Sequence, residues 1–262
     1  MDMGIDIIAL LVGVAFLAGT IDAIAGGGGL LTIPALLAAG LPPVAAIATN
    51  KLQSSFGTGG AVVAFARKGH IDFRRFALPA LASFTGSATG AFLLTLIDPK
   101  FLSGLIPLLL IAMATYFLLA PKMTDEDRHV LAGPPMLLAM AFVIGGYDGF
   151  FGPGTGSFFI TGLVAVFGLG VTRAVAHTKL LNFTSNLAGL AVLIASGHVM
   201  WKVGLPMAVG AIAGGQVGAH TAIRFGASTV RPLLIVMCLG LTAKLLADPT
   251  NPLTAAVLAW FG

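Results

Sequence analysis

The chain is short of charge. Only 9% of its 262 residues are Asp, Glu, Lys or Arg, where a soluble globular domain carries about 25%. That excludes a water-soluble domain of ordinary composition. It has one cysteine, Cys238, so no disulfide can form within the chain and no thiolate cluster can hold a metal. It lacks long polar connections, the longest being residues 121–129. It contains no G-x-x-x-x-G-K-[ST], no H-E-x-x-H and no G-x-S-x-G. Those absences exclude a P-loop ATPase, a zincin and a nucleophile-elbow hydrolase. No enzyme activity and no cofactor are expected.

Apolar sequence fills the space. Hydrophobic residues make up 57% of the chain and the mean hydropathy is +1.00. The apolar segments are long and rich in Leu, Val, Ile, Phe, Ala and Gly. An outer-membrane barrel would show alternating segments of about 10 residues instead. The expected fold is therefore all-α, a polytopic membrane helical bundle whose partner is the lipid bilayer. The net charge of +4 does not point to nucleic acid. The few basic residues sit between apolar segments, as cytoplasmic loops require. The acidic start M-D-M-G-I-D leads into a long apolar run and reads as the first span, not as a removed signal.

About 20 residues cross a hydrocarbon core. On that measure about eight full spans are expected, at 5–25, 44–66, 76–97, 101–120, 130–151, 172–195, 203–224 and 228–247. Residues 30–39 and 157–166 are too short to span and read as half-helices or re-entrant segments. Each follows a break that a lipid-facing helix should not contain: A-G-G-G-G at 25–29 and G-P-G-T-G at 152–156. Irregular backbone at membrane depth must be buried in protein or line a cavity.

The two breaks belong to one duplicated pattern. Asp22 matches Asp148, Gly26 matches Gly152, and Gly28 matches Gly154. Lys51 matches Lys179, Gly69-His70 matches Gly197-His198, and Gly86 and Gly90 match Gly214 and Gly218. The division expected is a first repeat at 1–120, a linker at 121–129, a second repeat at 130–248 and a tail at 249–262 whose Trp260 suits the interface. Interrupted segments in matching places of two halves point to a transporter's binding site. Pro153 replaces the second glycine of the first run, so the two breaks must differ in shape. Counting each break as one crossing makes the halves parallel; counting it as a fold-back makes them inverted. Both place the basic 67–75 loop in the cytoplasm, and the inverted count satisfies positive-inside slightly better.

The candidate substrate-binding residues are Gly26, Gly27, Gly28, Gly29, Asn50, Lys51, Ser54, Gly154, Thr155, Gly156, Lys179 and Asn182. Glycines at the start of a short helix free backbone N–H groups and aim a positive dipole end at an anion. The plainer reading is close helix packing. Lys51 and Lys179 lie about two turns into their spans; such a lysine can snorkel, but an intramembrane charge marks function by default. Both have polar neighbours on one helical face: Ser55 and Thr58 beside Lys51, Asn182 and Asn186 beside Lys179. Asp22 and Asp148 read either as partners of the lysines, as acids at the interface, or as groups that couple protons. His177 can titrate near neutral pH and is the third coupling candidate; a hydrogen-bonded packing role is its alternative.

The stretches G-T-I-D-A-I-A-G-G-G-G-L-L-T-I-P, A-T-N-K-L-Q-S and R-K-G-H-I-D, with G-G-Y-D-G-F-F-G-P-G-T-G-S and H-T-K-L-L-N in the second half, resemble the sulfite exporter TauE/SafE family. The resemblance covers nearly the whole chain. It implies a multi-pass protein of the cytoplasmic membrane that moves a small sulfur-containing or organic anion by alternating access, with protons as a coupling partner. A passive anion channel and a non-transporting scaffold are the rival readings.

Overall fold

The computed structural model describes residues 3–119 and 132–225. The expected linker at 121–129, the span at 228–247 with Cys238, and the tail with Trp260 lie outside the described residues. Within them are nine α-helices and no strand: α1 (Ile5–Ala25), α2 (Gly29–Ala38), α3 (Pro43–Arg67), α4 (Phe73–Thr95), α5 (Pro99–Leu119), α6 (Pro134–Phe150), α7 (Thr155–Ala165), α8 (Val171–Ala195) and α9 (Trp201–Phe225). Seven of the eight expected spans and both half-helices are present. By length and composition alone, α1, α4 and α8 qualify as membrane-crossing.

Local chemistry moves some boundaries. α4 starts at Phe73, not 76, because the Asp72 carboxylate accepts from the Arg75 N–H at 3.0 Å and caps the first turn. Arg74 and Arg75 therefore ride on the helix, and the basic loop is shorter than expected. α6 starts at Pro134 rather than 130, since a proline at the first helical position lacks only an N–H that would be unpaired anyway.

Contacts between helices give their directions. Gly210, Gly214 and Gly218 of α9 lie against Val12, Phe16 and Thr20 of α1 in that order, so α9 and α1 are parallel. Gly86 and Gly90 of α4 lie against Phe142 and Gly146 of α6, so these two are parallel as well. α3 runs with α9, where Leu52 meets Gly204 and Gly57 meets Ala211. α8 runs with α4, where Ser83 and Ser87 donate to the carbonyls of Leu181 and Ser185. α3 and α8 are antiparallel: Lys51 faces Asn186, while Gly59 faces Phe183. Helices α1, α3 and α9 thus point one way and α4, α6 and α8 the other. Since α6, α8 and α9 repeat α1, α3 and α4, every counterpart is reversed. The halves are inverted.

The repeat also shows in the backbone. Left-handed glycines pair off between halves: Gly26 with Gly152, Gly40 with Gly168, Gly69 with Gly197. Gly154 breaks the pattern. Its φ is 81°, whereas Gly28 is right-handed helical at −57°, the difference in shape that Pro153 led us to expect.

Glycine sets how closely the helices approach. A Cβ on Gly86 would fall 2.1 Å from the Phe142 carbonyl oxygen, and one on Gly214 would fall 1.9 Å from that of Phe16. These obstacles are backbone and cannot turn away. Gly86→Ala and Gly214→Ala are each expected to cost ~1–3 kcal/mol through overpacking. Thermal unfolding of the detergent-purified protein measures this, with Gly13→Ala as the neutral control because nothing lies within 4 Å of its Cβ.

Candidate functional site

Each half-helix doubles back along the long helix before it. Gly28 lies on the Ala18 carbonyl and the Asp22 side chain, and Leu36 shares a buried cluster with Leu11 and Ala15. Because α1 and α6 point oppositely, α2 and α7 leave toward opposite ends of the bundle. Their N-terminal ends meet. A Cβ on Gly26 would fall 2.4 Å from Gly156 Cα, and one on Gly156 would fall 2.4 Å from Gly26 Cα. A Cβ on Gly29 would lie 3.2 Å from Pro153 Cα. The half-helices have 10 and 11 residues. At 1.5 Å per residue they measure ~15 and ~16 Å, together close to the ~30 Å hydrocarbon core. The two breaks therefore sit about midway between the ends of the bundle.

Each break carries an ion pair that crosses between halves. Lys51 Nζ of α3 lies 2.7 Å from Asp148 Oδ2 of α6, with side-chain exposures of 0% and 3%. Lys179 Nζ of α8 lies 3.1 Å from Asp22 Oδ2 of α1, with exposures of 0% and 19%, and also donates to the Asp22 carbonyl. The two pairs are related as the halves are. Their environments are not equal, since the Asp22 side chain is partly exposed and that of Asp148 is buried.

The remaining polar groups surround these pairs. Lys51 donates to Asn186 Oδ1 at 3.3 Å, and the Asn186 amide is anchored on the Asn182 carbonyl at 2.8 Å. Gly189 leaves room for the lysine stem: a Cβ there would meet Lys51 Cε at 3.4 Å. Gly152 borders the ammonium itself, its Cβ position being 3.1 Å from Lys51 Nζ. On the α2 side, Asn50 Oδ1 accepts from Thr32 at 2.5 Å and from Gln53 at 2.9 Å; Gln53 also donates to Ser54 at 2.8 Å. Ser157 donates to the Ala25 carbonyl at the end of α1, satisfying a group that the helix end leaves unpaired.

Several expected site residues are used differently. The Gly28 N–H, expected to face an anion, donates to Asp22 Oδ1 at 3.3 Å, so the protein's own carboxylate occupies that helix N-terminus. Ser55 donates to the Lys51 carbonyl and Thr58 to the Ser54 carbonyl; both serve their own helix. Thr155 donates to the Gly152 carbonyl and shapes the second break. His177 does not join the lysines. Its Nε2 accepts from the Asp72 N–H at 3.0 Å, its Nδ1 donates to the Arg173 carbonyl, and its ring stacks on Phe76 at 3.9 Å. Two residues from Lys179 on a helix is about 200°, the opposite face. In the first half the same place holds Thr49, whose hydroxyl accepts from Met200 N–H at 3.2 Å. His177 is thus half of a matched pair of loop anchors. Thr32, Ser157 and Asn186 belong around the breaks although sequence reasoning did not rank them as site residues. For Asn186 the signal was its spacing of one helical turn from Asn182.

Two half-helices meeting head to head, flanked by ion pairs that cross between inverted halves, define the class: a polytopic helical membrane protein with broken helices at its centre. The chain belongs to the sulfite exporter TauE/SafE family, whose model matches residues 11–245. It is 47% identical to the "Probable membrane transporter protein ORF9" of Sinorhizobium sp, over 96% of this chain and 97% of that protein. It is 44% identical to a "Probable membrane transporter protein" of Haemophilus influenzae, over 95% of this chain and 98% of that protein. With the "Probable membrane transporter protein YfcA" of Escherichia coli K12 it shares 41% identity, over 98% of this chain and 94% of that protein. No solved structure matches the chain.

Proposed function

We propose that the protein is a secondary transporter of a small anion, sulfur-containing or organic, in the cytoplasmic membrane, and that it moves a proton with its substrate. One observation carries this reading: two lysine–aspartate pairs at half depth, each joining the halves. With both aspartates ionised the cluster is neutral. Adding an anion would leave a net negative charge in a medium that penalises it heavily. Protonating one aspartate frees its lysine to face the anion and restores neutrality. The anion and a proton then bind together or not at all.

The inverted halves, 1–120 and 130–248, supply two related arrangements for alternating access, each opening the midplane to one side. Gly26–Gly29, Gly154–Gly156, Asn50, Ser54 and Asn182 form the walls around the substrate; Lys51 and Lys179 meet its charge. Arg67, Lys68, Arg74, Arg75, Arg173 and Arg224 lie at one end of the described bundle, with Lys100 and Lys202 at the other. The richer end faces the cytoplasm.

Uptake into proteoliposomes with and without an imposed pH gradient tests the coupling. Wild type is expected to accumulate sulfite or an organic sulfonate only when the gradient drives it. Asp22→Asn, a permanent mimic of the protonated acid, is expected to keep anion exchange but lose the response to the gradient. Wild-type flux indifferent to the gradient would overturn the coupling and favour a channel.

A further inference from the structure

At each end of the bundle a turn is tied to the lysine-bearing helix of the other half. At the basic end the Asp72 N–H of the α3–α4 turn donates to His177 Nε2 of α8 at 3.0 Å. At the opposite end the Met200 N–H, just before α9, donates to the Thr49 hydroxyl of α3 at 3.2 Å. Thr49 and His177 each stand two residues before the lysine of their helix. The duplication supplies one tie twice, with a different acceptor in each copy.

The difference is chemical. A carbonyl can only accept, so His177 Nδ1 carries the proton that meets the Arg173 carbonyl at 2.7 Å. A backbone N–H can only donate, so Nε2 offers its lone pair to Asp72. That is the neutral ring in one tautomer. Stacking on Phe76, with ring centroids 3.9 Å apart, holds the plane of the ring. A second proton, on Nε2, would point a donor at a donor, and the tie would be lost. A threonine hydroxyl keeps its lone pairs over the same pH range, so the opposite tie has no such response. His198, at that end, meets the Ser196 hydroxyl at 2.9 Å instead.

Protons have a route to the ring. A cavity of about 240 Å³ adjoins it, between the α3–α4 turn and the start of α8. At ~30 Å³ per water it has room for several waters, and Asp72 and Arg75 in its wall are exposed. Among the described residues, the titratable and charged groups that line it with His177 are His70, Asp72, Arg75 and Arg173. Lys179 lies on the other face of α8. The tie depends on an acceptor at Nε2, whatever the sum of those charges.

We propose that His177 is a pH-sensitive latch at the basic end of the bundle. Neutral, it ties the α3–α4 turn to α8; protonated, it releases the turn, while the Thr49 tie at the other end holds. Imidazole is the side chain whose charge changes in the physiological range. That release admits substrate from the basic side rests on the transporter reading; the latch itself does not.

Backbone amide hydrogen exchange of the full chain in phosphatidylcholine nanodiscs tests the latch from about pH 8 to about pH 5, each rate being divided by the intrinsic rate at that pH. Protection of the Asp72 amide is expected to fall about tenfold on acidification, the scale of one lost hydrogen bond, while that of the Met200 amide stays level. His177→Gln, whose acceptor does not titrate, should keep Asp72 protected throughout, and His70→Gln should leave the wild-type response unchanged. Ring ¹⁵N shifts of labelled wild type give the answer without a substitution: His177 Nε2 should gain its proton over the interval in which Asp72 loses protection. Asp72 protection indifferent to pH would overturn the latch. So would an equal response in His177→Gln, or loss of the response in His70→Gln. Sulfite exchange into proteoliposomes tests the gate separately, with wild type expected to gain severalfold over His177→Gln as pH falls. Equal pH profiles in the two proteins would overturn the gate; no sulfite exchange at any pH would count against the transporter reading alone.

Discussion

Lys51→Met is expected to abolish anion uptake and to destabilise the protein by ~3–5 kcal/mol, the cost of stranding one member of a buried ion pair. Asp148 would be left 3% exposed, with no cation to offset its charge. The informative variant adds Asp148→Asn. Removing both charges removes the stranded ion, and replacement of a buried pair by neutral groups is often tolerated. Thermal stability should therefore largely return while uptake stays absent. That split separates a structural role from a transport role, because a purely structural pair predicts that activity returns with the fold. Full-rate uptake by the Lys51→Met, Asp148→Asn protein would refute the proposed function of Lys51. Unfolding curves and proteoliposome uptake on the same preparations decide it.

Gly156→Ala is the second large effect. The new methyl would fall 2.4 Å from Gly26 Cα, with backbone on both sides of the contact and no side chain able to rotate away. The half-helices must then separate at the midplane. Overpacking of this kind costs ~1–3 kcal/mol, and uptake is expected to fall by well over tenfold because the displaced backbone frames both ion pairs. Gly26→Ala meets the same contact from the other side, and a φ of 77° adds ~1–2 kcal/mol of left-handed strain. Since both substitutions spoil one contact, their effects should not add; the double variant is expected to lose less stability than the sum of the two. Simple additivity in a double-mutant cycle would show that the two glycines act separately.

Several features of the site were legible in one dimension and others were not. The breaks could be read because four successive glycines, and a G-P-G-T-G run, have no place in a lipid-facing helix. The lysines stood out because a charge two turns into an apolar span is costly and appears in both halves. The aspartates were visible too, with a lysine as one possible partner, but not which lysine each takes. Lys179 and Asp22 are 157 residues apart, and no spacing rule reaches across that distance. His177 was misleading for a related reason: it is close to Lys179 along the chain but on the opposite face of α8, and its ring is committed to Asp72 and Phe76. The amide of Gly28 was expected to be open to a ligand because nothing in the order of residues indicated that the Asp22 side chain folds back onto it.

By itself the sequence determined the solvent and the parts: too little charge for water, enough apolar length for about eight spans, two breaks, two lysines and a duplicated order. These follow from composition and local spacing, which act on neighbours along the chain. Only the tertiary structure decided the arrangement. Parallel packing of α1 on α9 and of α4 on α6 inverts the halves, the half-helices meet head to head midway along the bundle, and each lysine takes the acid of the other half. Those outcomes depend on which helices can approach within backbone distance. That is set by glycines whose partners lie in the opposite half of the chain.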